Sequence, residues 1–270
     1  MIKMIITFLE MSVSVNQSKE SMDISNQING QNKTAIITGS GRGIGKETAI
    51  QLAKHVANVV VCSRTQNEID SVVKEIENAN NNQVNLLGSR CDVSVSSDVN
   101  SLVQSAVDKF GSETIEILVI NAGVAFDKKL LDTTEVEWDR TINTNLKGAF
   151  FFTKAILPHM IKNRSGVILN VNSGAGKAGF SDLSSYCASK FGLAGLAESL
   201  ALEVESYDIR VLTIFLGKVA TKMWQDYDYS YYEKNKNKML SPQKVATKIV
   251  EMIFDTKNYK NGDSVELYYP

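Results

Sequence analysis

A chain of 270 residues with 43% hydrophobic and 22% charged residues has the balance of a globular protein and the length to bury a core in one α/β domain. Its formal net charge of −1 offers no global field to attract nucleic acid or an anionic membrane, which excludes partners recognised by bulk charge. Cys62, Cys91 and Cys187 are odd in number, far apart and form no CxxC, and His55 and His159 add no ligand cluster, so neither a disulfide framework nor a metal site is expected.

The first 32 residues differ from the rest. Met4–Leu9 is apolar but Glu10 closes it, which is too short for a secretory signal of about 7–15 apolar residues. No stretch approaches the ~20 apolar residues of a membrane span. Ser12–Lys33 is rich in Ser, Asn and Gln and poor in apolar residues. Residues 1–32 are therefore read as a disordered extension, and residues 33–270 as a single domain. A reducing, cytoplasmic setting is expected from the cysteine usage.

From Thr34 onward, strands alternate with helices. Thr34–Thr38 is an apolar strand ended by glycines, and Ile44–His55 follows with Ile44, Thr48, Leu52 and Val56 at helical spacing. Asn58–Cys62 is a second strand, Glu68–Asn80 an amphipathic helix, Val84–Leu87 a third strand and Ser97–Phe110 a helix. Ile115–Ile120 is the fourth strand and Glu135–Asn163 reads as one long helix. Gly166–Val171, Ser184–Ser206 and Ile209–Phe215 continue the alternation as strand, helix and strand. Trp224–Lys238 interrupts it with tyrosines and lysines, as an excursion over the sheet. Ser241-Pro242 caps a last helix with Val245, Ile249 and Ile253 as its core stripe, and Ser264–Tyr268 closes the chain. The pattern predicts a doubly wound, Rossmann-type parallel sheet of seven strands with helices on both faces.

Two segments carry chemistry. The first strand runs into Thr38-Gly39-Ser40-Gly41-Arg42-Gly43-Ile44-Gly45 and then a helix. Glycines permit a tight turn and close approach of backbone to a pyrophosphate, and the helix N-terminus attracts its charge. The second strand ends at Cys62-Ser63-Arg64, where an NAD site usually places Asp or Glu. Arg64, with Arg42 beside it and no nearby acid, favours the 2′-phosphate of NADP(H). Further on, Tyr186 and Lys190 lie four apart on one helix, so they share a face. A neighbouring ammonium is expected to lower the phenol pKa toward useful acid–base range. Ser173 follows the fifth strand at its carboxyl end, where ligands bind in open α/β sheets.

These motifs, in this order, resemble the short-chain dehydrogenase/reductase family over residues 33–268. Thr38–Gly45 is similar to its TGxxxGxG turn, and Asp92-Val93 to the pair that contacts adenine. Asn121-Ala122-Gly123 corresponds to its NAG element, Asn145 to its catalytic asparagine, and Tyr186–Lys190 to YxxxK, with Ser173 thirteen residues earlier. The resemblance implies that Tyr186 is the general acid in reduction and that Lys190 lowers its pKa and binds the nicotinamide ribose. It implies that Ser173 polarises the carbonyl and Asn145 holds a water in a proton relay. It also assigns to the cofactor Gly39, Ser40, Arg42, Gly43, Ile44, Gly45, Arg64, Asp92, Val93, Asn121, Ala122, Gly123, Tyr186 and Lys190, with Gly217, Val219 and Thr221 after the sixth strand. One departure stands out: Leu216 precedes Gly217 where the family commonly has Pro, which predicts a looser turn.

The expected activity is hydride transfer between NADP(H) and a carbonyl or alcohol, and the motif set is most similar to the 3-oxoacyl thioester reductases. An alcohol or steroid dehydrogenase is the alternative of the same chemistry, and a non-catalytic dinucleotide sensor or scaffold the alternative of another class. Substrate choice is expected to lie in Ala175–Leu183 and Met223–Lys238. Relatives pair their long helices across a two-fold axis, so a homodimer or homotetramer is expected. Phe150, Phe151, Phe152, Ala188, Gly192, Ala194 and Gly195 are the residues suited to that packing.

Overall fold

The computed structural model describes residues 32–80 and 83–269. The expected disordered extension, apart from its last residue, lies outside the described residues. Seven strands form one parallel sheet: β1 (Thr34–Ile37), β2 (Asn58–Ser63), β3 (Asn85–Arg90), β4 (Ile115–Ile120), β5 (Gly166–Ser173), β6 (Ile209–Leu216) and β7 (Ser264–Leu267). Their order is β3-β2-β1-β4-β5-β6-β7. The order reverses between β1 and β4, and a crevice opens at the carboxyl ends of these strands, as the rule for open α/β sheets requires.

Alternation along the strands builds two cores. Ala35 and Ile37 of β1, Val59 and Val61 of β2, and Ile117 and Val119 of β4 face helices α1 (Gly43–Leu52) and α2 (Gln66–Ala79). Ile36, Val60 and Leu118 face the other layer, which includes α3 (Ser96–Phe110). Successive side chains of a strand point to opposite faces, and a parallel sheet covered on both sides needs both to be apolar.

Most boundaries differ from the sequence reading by a few residues. One difference is larger. The expected helix 135–163 is broken into α4 (Glu135–Ile142), a π-helical turn at Asn143–Lys147 and α5 (Gly148–Asn163). The Gly148 N–H donates to the Asn143 carbonyl, five residues back, in place of the i→i−4 bond. The next helix, α6 (Ser184–Glu203), is continuous. The aromatic excursion folds as α7 (Lys222–Tyr227), α8 (Tyr229–Asn235) and a 3₁₀ turn before α9 (Pro242–Phe254), whose Ser241 cap accepts from the Lys244 N–H.

Of the residues expected to serve subunit packing, Phe152 is fully buried in its own chain, and a Cβ on Gly192 would sit 2.7 Å from Leu146. Phe150 remains exposed, and so do Phe191 and Leu202 on α6. No helix among the described residues is long and apolar enough to cross a membrane.

Candidate active site

The glycine turn is built by exclusion. Gly39 and Gly43 hold φ of +64° and +57°, which side chains rarely adopt. A Cβ on Gly45 would lie 2.5 Å from both the Asn121 Nδ2 and the Gly39 carbonyl oxygen, so α1 meets the strand ends as closely as atoms allow. Asn121 Nδ2 donates to the Thr38 and Gly39 carbonyls at 2.9 and 3.2 Å, and Thr38 Oγ1 accepts from the Asn121 and Ala122 N–H groups at 2.9 and 3.0 Å. The turn is thereby fixed before any ligand arrives.

Gly39, Gly41, Arg42, Gly43 and Ile44 line the wall of an open cavity of about 1080 Å³. A backbone cradle without Cβ atoms at a helix N-terminus fits a dinucleotide pyrophosphate. Two residues of the motif play another part. The Ser40 hydroxyl is buried, donating to the Ile37 carbonyl at 2.8 Å and accepting from the Cys62 N–H at 2.9 Å, so it stitches the turn to β2. Gly45 packs α1 and does not line the cavity.

At the end of β2, Arg64 is exposed on the cavity wall beside Asp92 and Val93. Burial alone would raise the Asp92 carboxyl pKa. Hydrogen bonds from Ser94 and the charges of Arg64 and Arg140 outweigh it and hold the carboxyl below its usual value. The expectation that no acid stands near Arg42 is corrected here: Glu68, from the first turn of α2, meets the Arg42 guanidinium at 3.1 Å.

The opposite end of the cavity holds Ser173, Tyr186 and Lys190. Lys190 is buried at 5% exposure, and its Nζ donates to the Val171 carbonyl at 2.9 Å and lies 5.8 Å from the centre of the Tyr186 ring. Burial lowers its pKa to about 8. Burial likewise raises the Tyr186 phenol above its ordinary value, and the hydrogen bond with Ser173 only partly offsets this. The expected depression of the phenol by Lys190 is thus not realised in the chain by itself: at this separation desolvation wins.

Asn145 sits in the π turn, buried. Its Oδ1 accepts from the Val124 N–H at 2.8 Å, and its Nδ2 donates to the Val124 carbonyl at 2.9 Å and the Ser189 hydroxyl at 3.0 Å. Ser189 in turn donates to the Tyr186 carbonyl at 2.7 Å. The amide therefore ties the loop after β4 to the turn of α6 that carries Tyr186. The π turn inserts one extra residue in the helix and so aims this side chain into that gap.

Gly123 lies on the same wall, and a Cβ there would stand 3.4 Å from Asn145. Gly217, Val219 and Thr221 line the cavity beyond β6, with the Thr221 methyl 3.5 Å from where a Cβ on Gly43 would be. Leu216, where the family commonly has Pro, lies before the turn in a packed setting. Leu216 is the last residue of β6, in register with Ser173 on one side and Leu267 on the other, and it is buried in the core. The cavity also has an aromatic mouth: Phe180, Trp224, Tyr227 and Tyr231 line it together with Met223, and Lys218 Nζ lies 4.5 Å from the Tyr231 ring centre and 5.6 Å from that of Trp224.

Residues 33–231 match the family model described as short chain dehydrogenase. The 3-oxoacyl-(acyl-carrier-protein) reductase of Thermotoga maritima is 32% identical, over 87% of this chain and 96% of the relative. That of Staphylococcus epidermidis is 35% identical over 71% and 77%. A hydroxy(phenyl)methylsuccinyl-CoA dehydrogenase subunit of Thauera aromatica is 32% identical over 86% and 93%. Among solved structures, a metagenomic short-chain oxidoreductase in complex with NADP aligns with a TM-score of 0.75 at 27% identity, covering 89% of this chain and 98% of that one. Levodione reductase aligns with a TM-score of 0.81 at 24% identity, covering 88% and 96%, which speaks for the fold.

Proposed function

The chain belongs to the short chain dehydrogenase family and is an oxidoreductase, and from that premise we propose that it reduces a carbonyl group with NADPH, using Ser173, Tyr186 and Lys190. The single observation that carries this reading is the convergence of all three on one end of a cavity whose other end is the glycine cradle with Arg42 and Arg64. We take residues 33–270 as one catalytic domain in a reducing, cytoplasmic setting, where the buried free thiols of Cys62, Cys91 and Cys187 remain reduced. The exposed Phe150, Phe191 and Leu202 on α5 and α6 support pairing of two copies into a homodimer or homotetramer.

Gly39, Gly41, Gly43 and Ile44 would hold the pyrophosphate, Arg42 and Arg64 the 2′-phosphate, Asp92 and Val93 the adenine, and Asn121, Ala122, Gly123, Gly217, Val219 and Thr221 the nicotinamide half. Bound there, the dinucleotide supplies the hydride. The Ser173 hydroxyl holds the substrate oxygen as negative charge develops on it. The Tyr186 phenol, protonated at neutral pH, gives that oxygen its proton. Lys190, charged below about pH 8, stabilises the resulting phenolate. Asn145 fixes the helix turn that carries the tyrosine, and a water relay toward Lys190 through its backbone accords with that placement.

Similarity to 3-oxoacyl reductases supports an acyl thioester substrate, and the aromatic mouth suits an apolar body next to the carbonyl. Purified protein mixed with NADPH and a panel of 3-oxoacyl thioesters, cyclic ketones and steroids tests this through loss of reduced-nicotinamide absorbance. Turnover of thioesters is expected. Oxidation of alcohols with NADP⁺ and no reduction of any carbonyl would favour the dehydrogenase reading, and binding without turnover the sensor reading.

Arg64→Ala is expected to weaken NADPH far more than NADH. A charge-assisted hydrogen bond contributes about 1.5–3 kcal/mol, roughly tenfold to a hundredfold in Kd. NADH presents no phosphate there, so titration of both nucleotides checks the assignment. Equal losses for both would make Arg64 structural.

A further inference from the structure

The adenosine end of the cavity carries a carboxylate that two arginines alone do not account for. Glu68 Oε1 meets Arg42 Nη1 at 3.1 Å, and Glu68 Oε2 accepts from the Ser63 hydroxyl at 3.1 Å. A Cβ on Gly41, inside the glycine turn, would stand 2.9 Å from both Glu68 Oε2 and the Ser63 Oγ. The carboxylate thus leans directly on the backbone of the dinucleotide turn. It comes from the first turn of α2, reaching back over the strand end where Ser63 stands in the place of an acid.

Resting on the cofactor reading above, we infer that Glu68 is the residue that sets the choice between the two nicotinamide dinucleotides. Its carboxylate is the internal counterion of Arg42. A 2′-phosphate arriving between Arg42 and Arg64 must take the Arg42 guanidinium from Glu68 and tolerate the carboxylate's like charge nearby. A 2′-hydroxyl faces no such exchange. Glu68 offers it a charged acceptor, as a carboxylate at the strand end does in an NAD site. The two arginines favour the phosphate and Glu68 opposes it, so the site accepts both nucleotides, with a preference narrower than the arginines alone would give.

The test is Glu68→Gln, which keeps the length and an acceptor for Ser63 but removes the charge. Kd values for NADPH and NADH are read by quenching of protein fluorescence, alongside melting curves and Arg64→Ala. The variant is expected to bind NADPH roughly tenfold more tightly and NADH more weakly, with an unchanged melting temperature. Glu68→Ala should shift the NADPH-to-NADH ratio in the same direction, which guards against a local effect of the glutamine. An unchanged ratio in both Glu68 variants, with Arg64→Ala still selective against NADPH, overturns this inference and leaves the cofactor reading standing. If Arg64→Ala is also unselective, the assignment of the 2′-phosphate to this end falls too.

Discussion

Tyr186→Phe is expected to abolish turnover while NADPH binds as in the wild type. The ring fills the same volume between the first turns of α6 and the end of β5, so the packing is retained. What is lost is the phenolic hydroxyl, whose pKa Ser173 lowers in part. Loss of a positioned general acid costs roughly 10²–10⁴-fold, and more where no water can replace it. Because burial holds this phenol above its ordinary pKa in the chain alone, it is fully protonated at neutral pH and ready to donate. The check is a paired measurement of steady-state rate and nucleotide Kd. A rate within tenfold of wild type would remove Tyr186 from the mechanism.

Lys190→Met is expected to lower the rate by a comparable factor and, at the same time, to stabilise the fold. The ammonium is buried, and its pKa falls from the ordinary lysine value of 10.5 to about 8 in the fold. Between those values the unfolded chain binds more protons than the native one, so stability rises with pH across that window. The burden of the charged lysine is full below pH 8 and vanishes above the unfolded value. Its size is on the order of 3 kcal/mol, against which the Val171 carbonyl loses a partner in the variant, at about 1 kcal/mol. A net gain of roughly 1–2 kcal/mol is expected at neutral pH, shrinking as the pH approaches 10.5. Melting curves at several pH values check the sign. A variant that melts lower than wild type at neutral pH would show that Lys190 supports the fold as well as the reaction, contrary to this account.

The sheet was legible because buried parallel strands appear as short apolar runs bounded by glycines and polar turns, as in IEILVI at Ile115–Ile120, whose bounds the structure keeps unchanged. The pairing of Tyr186 with Lys190 was legible because it is local, fixed by helical spacing. The π turn at Asn143–Lys147 was not, since it changes hydrogen-bond register without interrupting helical composition. Nor did Trp224–Lys238 announce two short helices, because its aromatic residues serve the cavity mouth and leave little periodicity. Glu68 is not legible from the strand end itself, which closes at Arg64, whereas α2 begins at Gln66 and returns its first acidic residue to the same place. An acid in the first turn of the helix after the strand is the signal that could have found it. Ser40 shows the reverse: its position in a cofactor motif says nothing of where its hydroxyl points.

Transfer of deuterium from NADPH labelled at nicotinamide C4 separates a carbonyl reductase from a protein that only binds the nucleotide. With a carbonyl substrate that the enzyme turns over, mass spectrometry of the product alcohol is expected to show one deuterium on the carbinol carbon, from one face of the nicotinamide only, and none when Tyr186→Phe replaces the wild type. NADPH that binds tightly but leaves every carbonyl compound unlabelled would contradict the account and leave a dinucleotide-binding protein without this chemistry.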